Sequence, residues 1–175
     1  MWAGIALKKI LIAGEAGQTT NYENALAAMQ VHFVTSLQVK DVDEYDGLLL
    51  PGGGDVDPKL FGQLLIPETE IRQYSRWEQQ LIRKGQEKLT PELDRIQLAI
   101  LKAFCQYRKP VFGICKGMQL INIAFGGDML RHLPTAVHHA YREKDQMHPA
   151  RNEVNSFLYE VYGSDMLVNS AHHQG

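Results

Sequence analysis

The 175-residue sequence is sparing with cysteine and has no strong excess of charge of either sign. Its two cysteines, Cys105 and Cys115, make no disulfide framework and no Cys-x-x-Cys metal motif. That usage suits a reducing compartment, so a cytoplasmic location is expected. Eighteen Lys and Arg stand against 20 Asp and Glu, a formal net charge of −2, with the basic residues scattered. This argues against nucleic acid as the main partner. No apolar run reaches membrane-spanning length. The N-terminus places Lys8-Lys9 after its apolar residues, the reverse of a signal peptide. Repeats and low-complexity linkers are also lacking. With 45% hydrophobic residues, residues 1–175 are expected to form a single domain with a substantial core.

What the sequence does have is concentrated in residues 110–126, Pro-Val-Phe-Gly-Ile-Cys-Lys-Gly-Met-Gln-Leu-Ile-Asn-Ile-Ala-Phe-Gly. Val111 to Ile114 reads as a fully buried strand, and Met118 to Phe125 as a buried helix stopped by Gly126-Gly127. Between them, Gly113-Ile-Cys115-Lys-Gly117 is the cysteine form of the Gly-x-Ser-x-Gly elbow, a sharp strand-to-helix turn that holds a nucleophile above the strand ends. The glycines let the backbone enter a strained turn and keep side chains off the nucleophile. A helix N-terminus aimed at Cys115 favours thiolate over thiol. The local alternative is an inert, packed cysteine.

Upstream, Lys9 to Ala13 reads as the first strand and Val31 to Thr35 as the second, with His32 a strand residue rather than a ligand. Between them Asn21 is expected to cap a short helix whose inward face is Tyr22, Ala25, Leu26 and Met29. Asp41 to Asp46 reads as a solvated acidic approach to a buried strand, Asp46 to Leu50. That strand runs into Pro51-Gly-Gly-Gly54-Asp-Val-Asp57-Pro58. Glycines at a strand's C-terminal end expose N–H groups where α/β sheets bind ligands. No Lys-Ser/Thr follows, so this is no P-loop. It reads either as an oxyanion hole or as a tight turn. Asp55 and Asp57 read as turn and cap residues rather than metal ligands.

Arg76 to Leu89 is expected to be helical, with Trp77 and Leu81 inward. Thr90-Pro91-Glu92 starts a second helix with a capping hydroxyl, and Leu93, Ile96, Ile100, Ala103 and Phe104 form its apolar stripe, Cys105 packing beside it. Short strands alternating with helices indicate a three-layer α/β sheet. Beyond Gly127, Met129 to Leu133 reads as a short strand or turn. Residues 134–150, with His138, His139 and His148, read as a solvent-exposed loop and not a metal site. Val154 to Val161 reads as a strand, and Leu167 to Ser170 leads into Ala171-His-His-Gln-Gly175. No metal or cofactor is expected.

Three segments together resemble the class I glutamine amidotransferase-like family, in its stand-alone γ-glutamyl hydrolase branch. They are residues 46–58, residues 109–127, and Val168-Asn-Ser-Ala-His-His-Gln174. The resemblance implies a flavodoxin-like, mostly parallel sheet with helices on both faces. It implies that Cys115 attacks a γ-glutamyl amide of a small-molecule substrate to give a glutamyl thioester, which water hydrolyses. The backbone of Gly53 or Gly54 with that of Lys116 would form the oxyanion hole. Gln119 would contact the glutamyl group, and Asn169, Ser170, His172 and His173 would belong to a substrate-side loop. Lys116 stands where arginine is usual in the branch, and Asp128 where a small hydroxyl residue is usual. The family's general base lies in a His-Pro-Glu motif downstream of the Asn-Ser-x-His-His-Gln segment. The sequence is therefore expected to be a domain truncated before that motif, its C-terminal part missing. A glutaminase subunit of an amidotransferase and a catalytically silent γ-glutamyl binding module are the alternative functions, and the oligomeric state, a homodimer included, stays open.

Overall fold

The computed structural model describes residues 8–175. The chain forms two compact units, the first ending at Met129 and the second running Leu130–Gly175. The first is built on short strands rich in branched and apolar residues: β1 (Lys9–Ile12), β2 (His32–Thr35), β3 (Gly47–Leu50) and β4 (Val111–Gly113). They lie parallel in the order β2, β1, β3, β4. Leu11 pairs with Leu48, Ile12 with Leu49, and Leu50 with Gly113. Successive strand residues point to opposite faces, yet every residue of β3 is buried. The sheet is therefore covered on both sides at its centre. Leu11, Ala13, Leu48 and Leu50 belong to the main core with Leu101 and Leu120, while Ile12 and Leu49 are buried on the other face. The α/β class and the parallel sheet are those expected.

β4 departs from expectation. It was expected to be fully buried, but Phe112 is 66% exposed and Val111 only half-buried. The sheet order gives the reason: among the described residues β4 has a neighbour, β3, on one side only.

Helix α1 (Thr20–Ala28) connects β1 to β2 and buries no residue. The expected inward stripe shrinks to half-buried Tyr22 and Leu26, with Ala25 and Met29 exposed. Its cap position is Thr19 rather than Asn21, and Thr19 makes no capping bond. Thr19 instead donates to Glu23 Oε1 at 2.6 Å, and Thr35 donates to the same oxygen at 2.7 Å. These two hydroxyls tie α1 to β2 and hold the Glu23 carboxyl below its usual range. The acidic stretch before β3 is only partly solvated, because Val42 and Tyr45 are buried. Asp46 accepts the Lys9 N–H at 2.9 Å, which holds its carboxyl low.

Between β3 and β4 come α2 (Glu68–Ile71), α3 (Arg76–Glu87) and α4 (Pro91–Gln106). A capping box starts α3: Ser75 Oγ accepts from the Glu78 N–H, and the Glu78 carboxylate accepts from the Ser75 N–H. Ile82, with Ile66 and Ile71, makes a small core of its own, while Trp77 and Leu81 are only half-buried. α4 sends Leu98, Ile100, Leu101 and Phe104 into the main core, and the Phe104 ring lies 6.1 Å from that of Tyr45. Its buried face is rotated from the expected stripe and includes Asp94 and Gln97. Both are polar, and each is buried with a partner inside the unit. α5 (Lys116–Ala124) ends as expected, with Gly126 at φ +84° and the Gly127 N–H on the Asn122 carbonyl at 2.8 Å. It is one-sided rather than wholly buried, since Met118 and Phe125 are exposed.

The second unit pairs β5 (Gln146–Arg151) antiparallel with β6 (Asp165–Ser170), and α6 (Phe157–Tyr162) lies between them in sequence. Two expectations are corrected here. Residues 134–150 are not all loop, because β5 occupies their end. Residues 154–161 are not a strand, because Ser156 Oγ accepts the Tyr159 N–H and starts a helix. β5 was hidden by Pro149, which sheets admit on edge strands. Met129 to Leu133 forms no regular strand. Leu130 exchanges backbone bonds with Gly175, and the Leu133 N–H donates to the His173 carbonyl. Among the described residues no helix is long and apolar enough to cross a membrane.

Phe104→Ala should lower the unfolding free energy by about 3–5 kcal/mol, read by urea denaturation. Met29→Ala, at a residue 71% exposed, should change it by less than about 0.5 kcal/mol.

Candidate active site

In α/β sheets ligands gather at the C-terminal strand ends, at the point where strand order reverses. Here the chain steps from β1 outward to β2, then back across β1 to β3 and β4. The glycine loop, residues 51–57, leaves the end of β3, and Cys115 leaves the end of β4. The two exits are adjacent because Leu50 pairs with Gly113.

Cys115 sits at the cap position of α5 with φ +50° and ψ −110°. A non-glycine residue at positive φ is strained, and such strain persists only where the surroundings enforce it. The enforcing contacts are identifiable. The Ile114 N–H donates to the Leu50 carbonyl at 3.0 Å, and the Gly117 N–H to the Ile114 carbonyl at 2.9 Å. A Cβ at Gly113 would lie 2.5 Å from the Gly117 carbonyl carbon. A Cβ at Gly117 would collide with the Leu50 carbonyl oxygen and lie 2.7 Å from Leu50 Cβ. Both glycines of the elbow are thus required by closeness: α5 begins directly against β3.

Two backbone N–H groups, those of Lys116 and Gly53, donate to the Cys115 sulfur. Gly54, the other loop candidate, is not among those donors, and the space beside it is open. The thiol nevertheless titrates above its ordinary value. Desolvation by the walls of the elbow is the largest cause; the negative charge of Asp55 adds to it, and the two N–H donors oppose it. The residue as a whole remains exposed. The first N–H of the helix does favour thiolate over thiol, as expected, but lost water outweighs the donors and the net shift is upward.

The glycine loop is fastened at three points. The Gly52 N–H donates to the Tyr22 hydroxyl at 2.9 Å, and a Cβ at Gly52 would lie 2.7 Å from that oxygen. Asp57 Oδ1 accepts the Lys59 N–H and caps the short 3-10 turn Pro58–Phe61, the cap role expected of it. The Asp57 N–H donates to Asp94 Oδ2 at 2.9 Å. The Lys116 side chain is buried and ends on α4, with Nζ 2.5 Å from Asp94 Oδ1 and 3.2 Å from Thr90 Oγ1. Asp94 Oδ1 receives no well-aligned hydrogen bond, so its partner is the ammonium charge itself. Thr90, expected to cap α4, makes no capping bond. Its hydroxyl accepts from Lys116 instead. Gln119 is buried on α5, and its N–H donates to the Cys115 carbonyl at 3.1 Å. Tyr22, Asp94, Thr90 and the Lys116 side chain are the members that sequence reasoning missed. The burial of a lysine directly after the nucleophile was their only signal, and it is invisible without coordinates.

The remaining expected residues belong to the second unit. Asn169 donates to Asp145 at 2.7 Å. The Ser170 hydroxyl is buried, 2.7 Å from His148 Nε2 and 3.4 Å from His139 Nδ1. His172 stacks on His139, whose ring meets His148 edge-on. Burial, then the neighbouring histidines, hold His139 below the usual histidine value. His173 lies 3.1 Å from His132, Nδ1 to Nδ1. Among the described residues no group of three or more His, Cys, Asp or Glu is arranged to hold a metal ion.

The sequence model of the Peptidase C26 family matches residues 75–175. A putative glutamine amidotransferase-like protein of Lactococcus lactis, YvdE, is 31% identical over 138 residues, which are 74% of this chain and 50% of that one. The γ-glutamyl-γ-aminobutyrate hydrolase of Escherichia coli O157:H7 is 28% identical over 156 residues, 80% of this chain and 53% of the relative. The chain spans about half the length of the curated relatives it matches. The crystal structure of a glutamine amidotransferase from Thermotoga maritima superposes with a TM-score of 0.60 at 12% identity, covering 97% of this chain and 62% of that one. At that identity the likeness establishes the shared fold.

Gly117→Ala should destabilise the first unit by about 3 kcal/mol, or prevent its folding, because the added carbon meets a strand carbonyl that cannot move away; a thermal melt decides. Iodoacetamide alkylation of Cys115, normalised to glutathione, should be slow at pH 7 and rise with a midpoint above that of an ordinary thiol. A midpoint below the ordinary value would mean that the two N–H donors outweigh desolvation.

Proposed function

We propose that this chain, which belongs to the Peptidase C26 family of glutamine amidotransferase-like proteins, cleaves γ-glutamyl amide bonds through Cys115. The observation that carries the reading is one cysteine, strained at φ +50°, with two backbone N–H groups converging on its sulfur. A packed, inert cysteine requires neither the strain nor the donors. The likeness to a γ-glutamyl-γ-aminobutyrate hydrolase supports the γ-glutamyl group as the acyl part of a small-molecule substrate.

In this reading the Cys115 sulfur attacks the amide carbonyl carbon, and its thiol proton passes through solvent water to the amide nitrogen that departs. The carbonyl oxygen becomes an oxyanion, and the Gly53 and Lys116 N–H groups turn from the sulfur to that oxygen. The tetrahedral intermediate collapses with loss of the C–N bond, and the departing amine takes up a proton. Water then attacks the glutamyl thioester, breaks the S–C bond and releases glutamate with the thiol restored. Because burial pushes the Cys115 thiol up, loss of its proton is part of the cost of reaching the attacking sulfur. Gln119, one helical turn beyond the nucleophile, is assigned to the glutamyl group. Asn169, Ser170, His172 and His173 are assigned to the substrate side.

The test is hydrolysis of a panel of γ-glutamyl amides, L-glutamine included, with glutamate release as the readout. Cys115→Ala should lower the rate by about 1,000-fold or more, and acid-quenched wild-type protein should gain the mass of one glutamyl group. Undiminished hydrolysis by Cys115→Ala would remove the nucleophile assignment.

A further inference from the structure

We infer that Asp94 and Lys116 form a positioning strap that sets the spacing of the two backbone donors on Cys115. The inference rests on the proposed reading of Cys115 as an acyl-accepting nucleophile. Those donors come from separate segments, Lys116 from the elbow and Gly53 from the loop after β3. Something must hold the two segments in register, and one carboxylate does. Asp94 is 0% exposed and lies on the inner face of α4. Through Oδ1 it holds the Lys116 ammonium at 2.5 Å, and through Oδ2 it accepts the Asp57 N–H at 2.9 Å, at the far end of the glycine loop. The lysine stem runs along the loop between these anchors, so close that a Cβ at Gly53 would lie 2.9 Å from Lys116 Cδ. Thr90 adds its hydroxyl at 3.2 Å and leaves α4 without a side-chain cap to do so.

A lysine that is 2% exposed is rare unless paired. An apolar residue of similar length would fill the same space without the desolvation of two charges. What the pair adds is direction: it fixes where the stem lies and, through it, where the Gly53 and Lys116 N–H groups point. An oxyanion is stabilised only by donors placed at its own position, and a misplacement of about 1 Å loses on the order of 100-fold in rate.

The test separates the donors from the thiol. p-Nitrophenyl acetate acylates Cys115: the sulfur attacks the acetyl carbon, an S–C bond forms, the C–O bond to p-nitrophenolate breaks, and the thiol proton passes to buffer. An oxyanion forms on the way. Iodoacetamide alkylates the same sulfur by displacing iodide, and no oxyanion forms. The ratio of the two rate constants is measured on the full chain for wild type, Lys116→Met, Lys116→Arg and Thr90→Val. The ratio should fall about tenfold or more in Lys116→Met. It should return to within about threefold of wild type in Lys116→Arg, which restores the charge pair. It should fall about threefold in Thr90→Val. An unchanged ratio in Lys116→Met overturns the strap, as does a parallel fall of both rates. If Lys116→Met does not fold, Thr90→Val decides, and an unchanged ratio there overturns it. Wild-type protein that takes acetyl from the ester but cleaves no γ-glutamyl amide would sink the substrate reading alone, while the ratio still judges the strap.

Discussion

The close approach of α5 to β3 at Gly117 is the constraint on which the rest of the first unit depends. A helix cannot begin against a strand carbonyl unless its first turn lacks a side chain there. Once it does, the chain leaving β4 has only Ile114 and Cys115 in which to turn, and Cys115 is left at positive φ. That conformation costs about 1–3 kcal/mol. It is offset by the burial of Leu120 and by the hydrogen bonds that the Ile114 and Gly117 N–H groups make on either side of the cysteine. The same approach brings the first N–H of the helix to the sulfur. Strain, donor and exposure of the cysteine thus follow from one packing contact.

A second consequence runs through Lys116. Because α5 starts against β3, the side chain after the nucleophile has no path to solvent and turns under the glycine loop. A buried ammonium without a partner would be untenable, so α4 must present a carboxylate there. This explains why Asp94 occupies a helix face that would otherwise be apolar. Gln97 Nε2 donates to the Ala13 carbonyl at 2.8 Å, which fastens α4 to the end of β1 as Asp94 fastens it to the loop after β3. Removing one partner of such a buried pair costs about 3–5 kcal/mol, so the arrangement couples the stability of the fold to the geometry of the elbow.

What the sequence disclosed and what it hid divide along the same line. The strands of the first unit, the elbow and the glycine loop were legible because each is encoded in the backbone: apolar runs of strand length, and glycines where no side chain fits. The stop at Gly126-Gly127 was legible for the same reason. The face of α4 was not, because a hydrophobic stripe assumes that polar residues look outward, and Asp94 and Gln97 look inward to partners distant in sequence. Thr90 showed a cap signature and uses its hydroxyl elsewhere. Asn21 had the chemistry of a cap but lies two residues past the cap position, Thr19. In the second unit, β5 and α6 were exchanged for loop and strand, since Pro149 masks a strand and the aromatic residues and Val161 of Phe157–Tyr162 imitate one. Both elements are short, and short elements owe their conformation to tertiary partners more than to their own pattern.

The electrostatics of Cys115 decide what kind of nucleophile the elbow can offer. A helix N-terminus and two N–H donors all favour a thiolate, and on pattern alone that settles the matter. Desolvation acts in the other direction on the same sulfur, and it is the larger effect. The donors are therefore not spent on a resting anion. They are held at the sulfur by backbone geometry and become most valuable where negative charge appears, one bond away on the carbonyl oxygen. An elbow of this kind loses readiness as a free thiolate but keeps its donors for the transition state, where interactions raise kcat rather than tightening the ground state. Its reactivity then depends on removal of the thiol proton, and on the two donors staying in register when their sulfur partner moves. The first requirement falls on a base. The second falls on whatever spans the elbow and the glycine loop, and in this fold the side chain that spans them is Lys116.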